Sequence, residues 1–146
     1  MKIKRKEIEG IHRALTNCGN LSGEKFTYMY EKNIGKIMSL YKEKQKFEES
    51  IKPPPTEKII EYQKKSMALY NELKEGKILD VEYKAKQEEF DLAYPEESKA
   101  FSDYDLKFFP YMEEEIDVPF HTIKRKDVPD ALTGTQRVGI SMFIEE

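Results

Sequence analysis

Ile51-Lys52-Pro53-Pro54-Pro55-Thr56 is the stretch on which the fold turns: three consecutive residues without a backbone N–H cannot continue a helix, and Thr56 carries a side chain that can start one. Backward from it, Phe26, Tyr30, Ile34, Ile37, Tyr41, Phe47 and Ile51 recur at steps that fit one face of a helix over residues 23–51, entered near Ser22, with Lys and Glu filling the rest. Forward from it, Glu57 and Lys58 occupy the first turn of a second helix, 56–74, whose stripe is Ile59, Ile60, Met67, Tyr70 and Leu73. Two amphipathic helices joined by a proline turn predict an antiparallel hairpin with Phe26, Ile34, Ile37, Ile60, Met67 and Tyr70 at its core. Such charged helices bury little alone, so the hairpin needs a further element or another copy of the chain. Gly35 costs the first helix about 1 kcal/mol relative to Ala and marks either a close backbone approach or a tolerated weak point.

Glu75-Gly76-Lys77 reads as a break, after which a helix over 81–92 carries Tyr83, Phe90 and Leu92 and stops at Tyr94-Pro95. Phe101, Tyr104, Leu106, Phe108, Phe109, Tyr111 and Met112 form the richest aromatic cluster and are the expected core of the last third. Residues 118–123 alternate like a short edge strand, restricted by Pro119. Thr133-Gly134-Thr135-Gln136 fits a capping box and predicts a terminal helix bearing Val138, Ile140, Met142, Phe143 and Ile144, docked on the 101–112 cluster with 120–123 alongside. At the other end Met1-Lys2-Ile3 can add a strand, followed by a short helix with Ile8, Ile11 and Leu15 that stops around residues 17–20. The expected fold is mainly α: a helical hairpin region at 22–94 and a smaller α+β subdomain at 98–146 with at most a short two- or three-stranded sheet, together forming one domain over 1–146.

A chain of 146 residues can bury one core. Its charged fraction of 36% against 38% hydrophobic predicts a well-solvated helical protein, while 9 Tyr and 8 Phe argue against disorder. The charge is uneven, +5 over residues 1–52 and −8 over 53–146, an asymmetry that suits solvated helices of different sign or the orientation of a partner. A single cysteine, Cys18, excludes an internal disulfide. Residues 1–6 are not followed by the apolar run of a secretion signal, and no apolar stretch is long enough to cross a membrane, so the cytoplasm is the expected location, with no membrane partner.

Catalytic patterns are missing from the sequence. His12, Cys18 and His121 are far apart and lack the short spacings of a metal site, so no metal or cofactor is expected. Cys18 has no recognisable base motif and reads as a small buried residue; His121 reads as a surface or satisfied core residue. Glu88-Glu89, Glu96-Glu97 and Glu113-Glu114-Glu115 point in different directions if helical and face water. Leu132-Thr133-Gly134-Thr135 lacks the Lys and second Gly of a phosphate loop. The basic patches Lys2/Lys4/Arg5/Lys6 and Lys124-Arg125-Lys126 are short and poor in neighbouring aromatics, so nucleic acid is not an expected partner.

Lys25-Phe26-Thr27-Tyr28 leading to Glu31-Lys32-Asn33, His121-Thr122-Ile123, Asp127-Val128-Pro129, Leu132-Thr133-Gly134 and the final Phe143-Ile144-Glu145-Glu146 give the chain an order of elements that resembles small uncharacterised helical proteins encoded by bacteriophages and prophages. The resemblance carries no catalytic residues and implies a phage-related setting, in a bacterial host cell. The resulting expectation is a non-enzymatic protein-interaction module, an accessory protein or inhibitor that binds a host or viral protein; the alternative is a self-associating structural or assembly protein of a virus particle. No residue can be assigned to the partner surface at this level.

Overall fold

The computed structural model describes residues 1–146. It is 71% helical with two two-stranded sheets, so the chain is mainly α with a small strand component. In chain order the elements are β1 (Lys2–Lys4), α1 (Ile8–Thr16), α2 (Glu24–Ile51), α3 (Glu57–Lys74), α4 (Asp80–Ala93), α5 (Pro95–Glu113), β2 (Glu115–Asp117), β3 (Ile123–Lys124), α6 (Gly134–Gly139) and β4 (Ile144–Glu145). They form two compact units that do not follow chain order, one from Met1–Glu49 with Pro110–Glu146, the other Ser50–Phe109. No helix is long and apolar enough to cross a membrane.

The first unit holds the large apolar core. Ile8, Ile11 and Leu15, at helical spacing on α1, are buried with Phe26, Met29 and Ile37 of α2, and Ile34 packs against them partly buried. β1 pairs antiparallel with β2 (Ile3 opposite Ile116) and β3 runs parallel to β4 (Ile123 opposite Ile144). The C-terminal segment is docked, with Ile140 and Phe143 fully buried. Residues 120–123 lie alongside as expected, with Phe143 edge to face on Phe120 at 5.1 Å and Ile144 opposite Ile123, but the seat of α6 is α1 in place of the 101–112 cluster: a side chain at Gly139 would come within 3.0 Å of the Ala14 Cβ. Thr133 and Gln136 do form the capping box, but the helix ends at Gly139 and Val138 is exposed. Most of 118–123 is not strand; the side chain of buried Asn33 on α2 satisfies both peptide groups of His121, donating to its carbonyl and accepting from its N–H at 2.8 Å each, so this segment needs no sheet partner. A Cβ at Gly35 would meet nothing within 4 Å, which makes that glycine a tolerated weak point.

In the second unit the expected helix limits hold, but the antiparallel partner of α3 is α4, where the sequence pointed to 23–51. Helix α3 is capped by Thr56, whose hydroxyl accepts from the Ile59 N–H (3.3 Å). It ends in a Schellman turn: Gly76 takes φ +73°, and the N–H groups of Gly76 and Lys77 return to the carbonyls of Leu73 and Glu72. The Tyr62 hydroxyl bonds to Asp91 and Gln87 reaches Ser66, pairs in which one chain position rises as the other falls, as antiparallel helices require. Ile59, Tyr62 and Leu69 are the buried side chains of α3, whereas Ile60, Met67 and Tyr70, expected in the core, are exposed. The aromatic cluster is also displaced from its expected role. It lies on α5, whose one buried residue is Glu97, and Leu106 and Phe109 are exposed. A helix distributes seven large side chains around several faces, and the core is built instead by residues of α1, α2 and the last thirty or so of the chain.

Candidate functional site

α3 carries two apolar stripes side by side. Ile59, Tyr62, Ser66, Leu69 and Leu73 follow alternating steps of three and four and face α4; Ile60, Gln63, Met67 and Tyr70 follow the same steps one residue later and face outward. Ile60, Met67 and Tyr70 remain 42%, 59% and 52% exposed. On α4, Tyr83, Gln87, Phe90 and Tyr94 face inward at the same kind of spacing, while Val81, Ala85, Glu88 and Leu92 stand outward, Val81 at 78% and Leu92 at 82% exposure. Of twelve large hydrophobic residues exposed in the whole chain, eight belong to the second unit, which therefore carries the apolar surface that water disfavours.

Between the helices lies a groove of about 390 Å³, lined on α3 by Tyr62, Gln63, Ser66, Met67 and Tyr70, on α4 by Tyr83 and Gln87, and at one end by Phe101 of α5. Its floor is polar and fully satisfied. The Tyr62 hydroxyl donates to Asp91 at 2.7 Å, and the Gln87 amide reaches Asp91 at 3.0 Å and Ser66 at 3.3 Å. Burial, with the Asp91 carboxylate beside it, pushes the Tyr62 hydroxyl above its ordinary pKa, so it stays a donor. The Tyr62 ring is stacked on Phe101 at 5.7 Å and tilted against Tyr94 at 6.0 Å. A rigid floor under an apolar rim can receive a side-chain row from another helix.

A larger cleft of about 510 Å³ in the first unit is lined by Lys25, Tyr28, His121, Lys126, Asp127 and Glu145, among others. Three of its charged groups are engaged within the chain: Lys25 pairs with Asp127 at 3.1 Å, and Thr122 bonds Glu145. His121 sits edge-on to Tyr28 at 5.5 Å, and His12 stacks on Tyr41 at 5.3 Å, so the two histidines are separate aromatic contacts. Cys18 is buried, which pushes its thiol above the ordinary pKa and keeps it from being a thiolate nucleophile. No group of three or more His, Cys, Asp or Glu is placed to hold a metal ion.

The N-terminal basic patch and the Glu113-Glu114-Glu115 run, read from sequence as separate solvated charges, meet across the β1–β2 pair. Lys4 and Lys6 both bond Glu113 (2.8 and 2.6 Å), Lys2 pairs with Glu115 at 3.1 Å, and Arg5 bonds Glu114 at 2.8 Å while lying 4.4 Å over the Tyr111 ring. Hydrogen bonds from Lys4 and Lys6 bring the Glu113 carboxyl down to about 2. This patch is engaged in the fold and is not an open cationic surface. Lys124, Arg125 and Lys126 stay exposed. No protein-family model matches the chain, and comparisons with curated proteins and with solved structures gave no match.

Proposed function

We propose that the chain is a protein-interaction module that works by binding, not by catalysis, through the open face of the α3–α4 hairpin. The observation that carries this reading is the exposed row Ile60, Met67 and Tyr70 beside a groove whose polar floor is satisfied. One helix, α3, presents this row at the spacing by which one helix recognises another, and leaving it in water is unfavourable. The phage-related setting implied by the resemblance puts the partner among host or viral proteins of the bacterial cytoplasm, and a self-associating assembly protein is the second reading.

A photo-crosslinking side chain placed at Met67, with the same probe at exposed Val138 in the other unit as control, tests the surface directly. The expected result is one dominant adduct from position 67 and none from 138, abolished by Tyr70→Glu. Equal, diffuse labelling from both positions would remove the basis for placing the interaction on this face.

A further inference from the structure

The two helices of the hairpin differ in sign. α3 holds Lys58, Lys64, Lys65 and Lys74 against three glutamates, a net +1; α4 holds five acids against Lys84 and Lys86, a net −3. No ion pair spends this difference between the two helices, since Lys65 pairs with Glu61 on its own helix and donates to the Tyr94 hydroxyl at 2.8 Å, and the rest of the polar α3–α4 contact runs through Tyr62, Ser66, Gln87 and Asp91. Lys64 and Glu88 stand exposed. Gln63, Met67 and Tyr70 open on the same groove as Tyr83 and Gln87, and helical spacing places Ile60 beside Met67 on α3 and Glu88 beside Gln87 at the outer rim of α4.

We propose that the open face is covered by a second copy of this chain, α3 of each copy lying antiparallel on α4 of the other in a closed two-fold pair, so that two hairpins complete one four-helix layer. This rests on the interaction reading above and names its partner. Charge selects the axis. A two-fold axis along the hairpin sets the +1 helix on the −3 helix twice; an axis across it sets α4 on α4, with like charges opposed. An axis along the hairpin also leaves each residue at its own height, so the levels read within the chain carry over. Tyr62 is level with Asp91 and Ser66 with Gln87. Lys64 then stands level with Glu88 of the copy at the rim, and Met67 lies over the copy's α4 near Gln87 and Glu88.

Sedimentation velocity on the full chain across a micromolar concentration series tests this. Wild type sediments as a monomer–dimer equilibrium, and Met67→Glu abolishes the dimer. Lys64→Glu and Glu88→Lys each weaken it by about tenfold, and their equimolar mixture returns to wild-type affinity because both contacts again join opposite charges. All three positions are exposed, and a circular-dichroism melt on each variant verifies the fold. A wild-type chain that stays monomeric throughout, or a mixture no tighter than either variant, overturns the proposal. If the wild type is monomeric while position 67 crosslinks a different protein, self-pairing is wrong and the interaction surface stands; if neither occurs, both fall.

Discussion

Asn33 shows how one side chain substitutes for a strand. Fully buried on α2, it answers the N–H and C=O of His121 at 2.8 Å each, doing for residue 121 what a neighbouring strand does for a ladder residue. Asn33→Leu leaves both peptide groups unpaired in a closed environment and is expected to cost about 1–3 kcal/mol in urea unfolding. A cost near zero would mean that water replaces the bonds. Ile37 and Ile60 make a second residue-scale comparison, because sequence gave them equal standing and the structure does not. Ile37→Ala is expected to cost about 2–5 kcal/mol, while Ile60→Ala, measured at concentrations where the chain is monomeric, costs about 0.5 kcal/mol or less. Cys18, with its side chain enclosed, is expected to react with a thiol reagent only when the chain is unfolded; rapid stoichiometric labelling of the native protein would contradict its burial.

At the scale of elements, the limits of α2, α3 and α4 and the start of α6 were legible because their chemistry is local, while helix α5, read only as an aromatic cluster, and the end of α6 at Gly139 were not. Pro53, the Thr56 cap, the Gly76 turn, Pro95 and the Thr133–Gln136 box each act within a few residues. Which face an element buries is not local. α3 offers two adjacent stripes, and only the arrival of α4 on the 59/62/66/69 side decides that 60/67/70 stays outside. The residues of the candidate surface were therefore visible in the sequence as an apolar row and were assigned to the interior. The β1–β2 junction illustrates the same limit, since Lys4 and Lys6 are joined to Glu113 from the far end of the chain. That junction makes an acid prediction. Glu113 ionises near 2 in the fold against an ordinary 4.5, so its contribution is fully present above about 4.5 and is lost as pH falls toward 2. Nuclear magnetic resonance titration should find the Glu113 carboxyl well below the ordinary glutamate value of 4.5, and Lys4→Ala with Lys6→Ala should return it toward that value. A normal value in the wild type would mean that the junction is open in solution.

At the scale of the molecule, the apolar residues are divided unequally. The unit built from Met1–Glu49 and Pro110–Glu146 encloses Phe26, Met29, Ile37, Ile140 and Phe143, whereas Ser50–Phe109 closes over Ile59, Tyr62 and Leu69 and leaves Ile60, Met67, Tyr70, Val81 and Leu92 in water. A helical layer with that composition is incomplete as a packed body, and a second helical layer of matching charge completes it. The central claim is that the outward row of α3 is a working contact surface that a second copy covers. The methyl groups of Met67 and Met38, both exposed but in different units, read this in one experiment. With the methionine methyls isotopically labelled and a soluble paramagnetic agent added, the account predicts that both signals broaden equally in dilute solution. As protein concentration rises, Met67 becomes protected while Met38 continues to broaden. If Met67 and Met38 stay equally accessible at every concentration, the outward row of α3 is bare surface and the account is wrong.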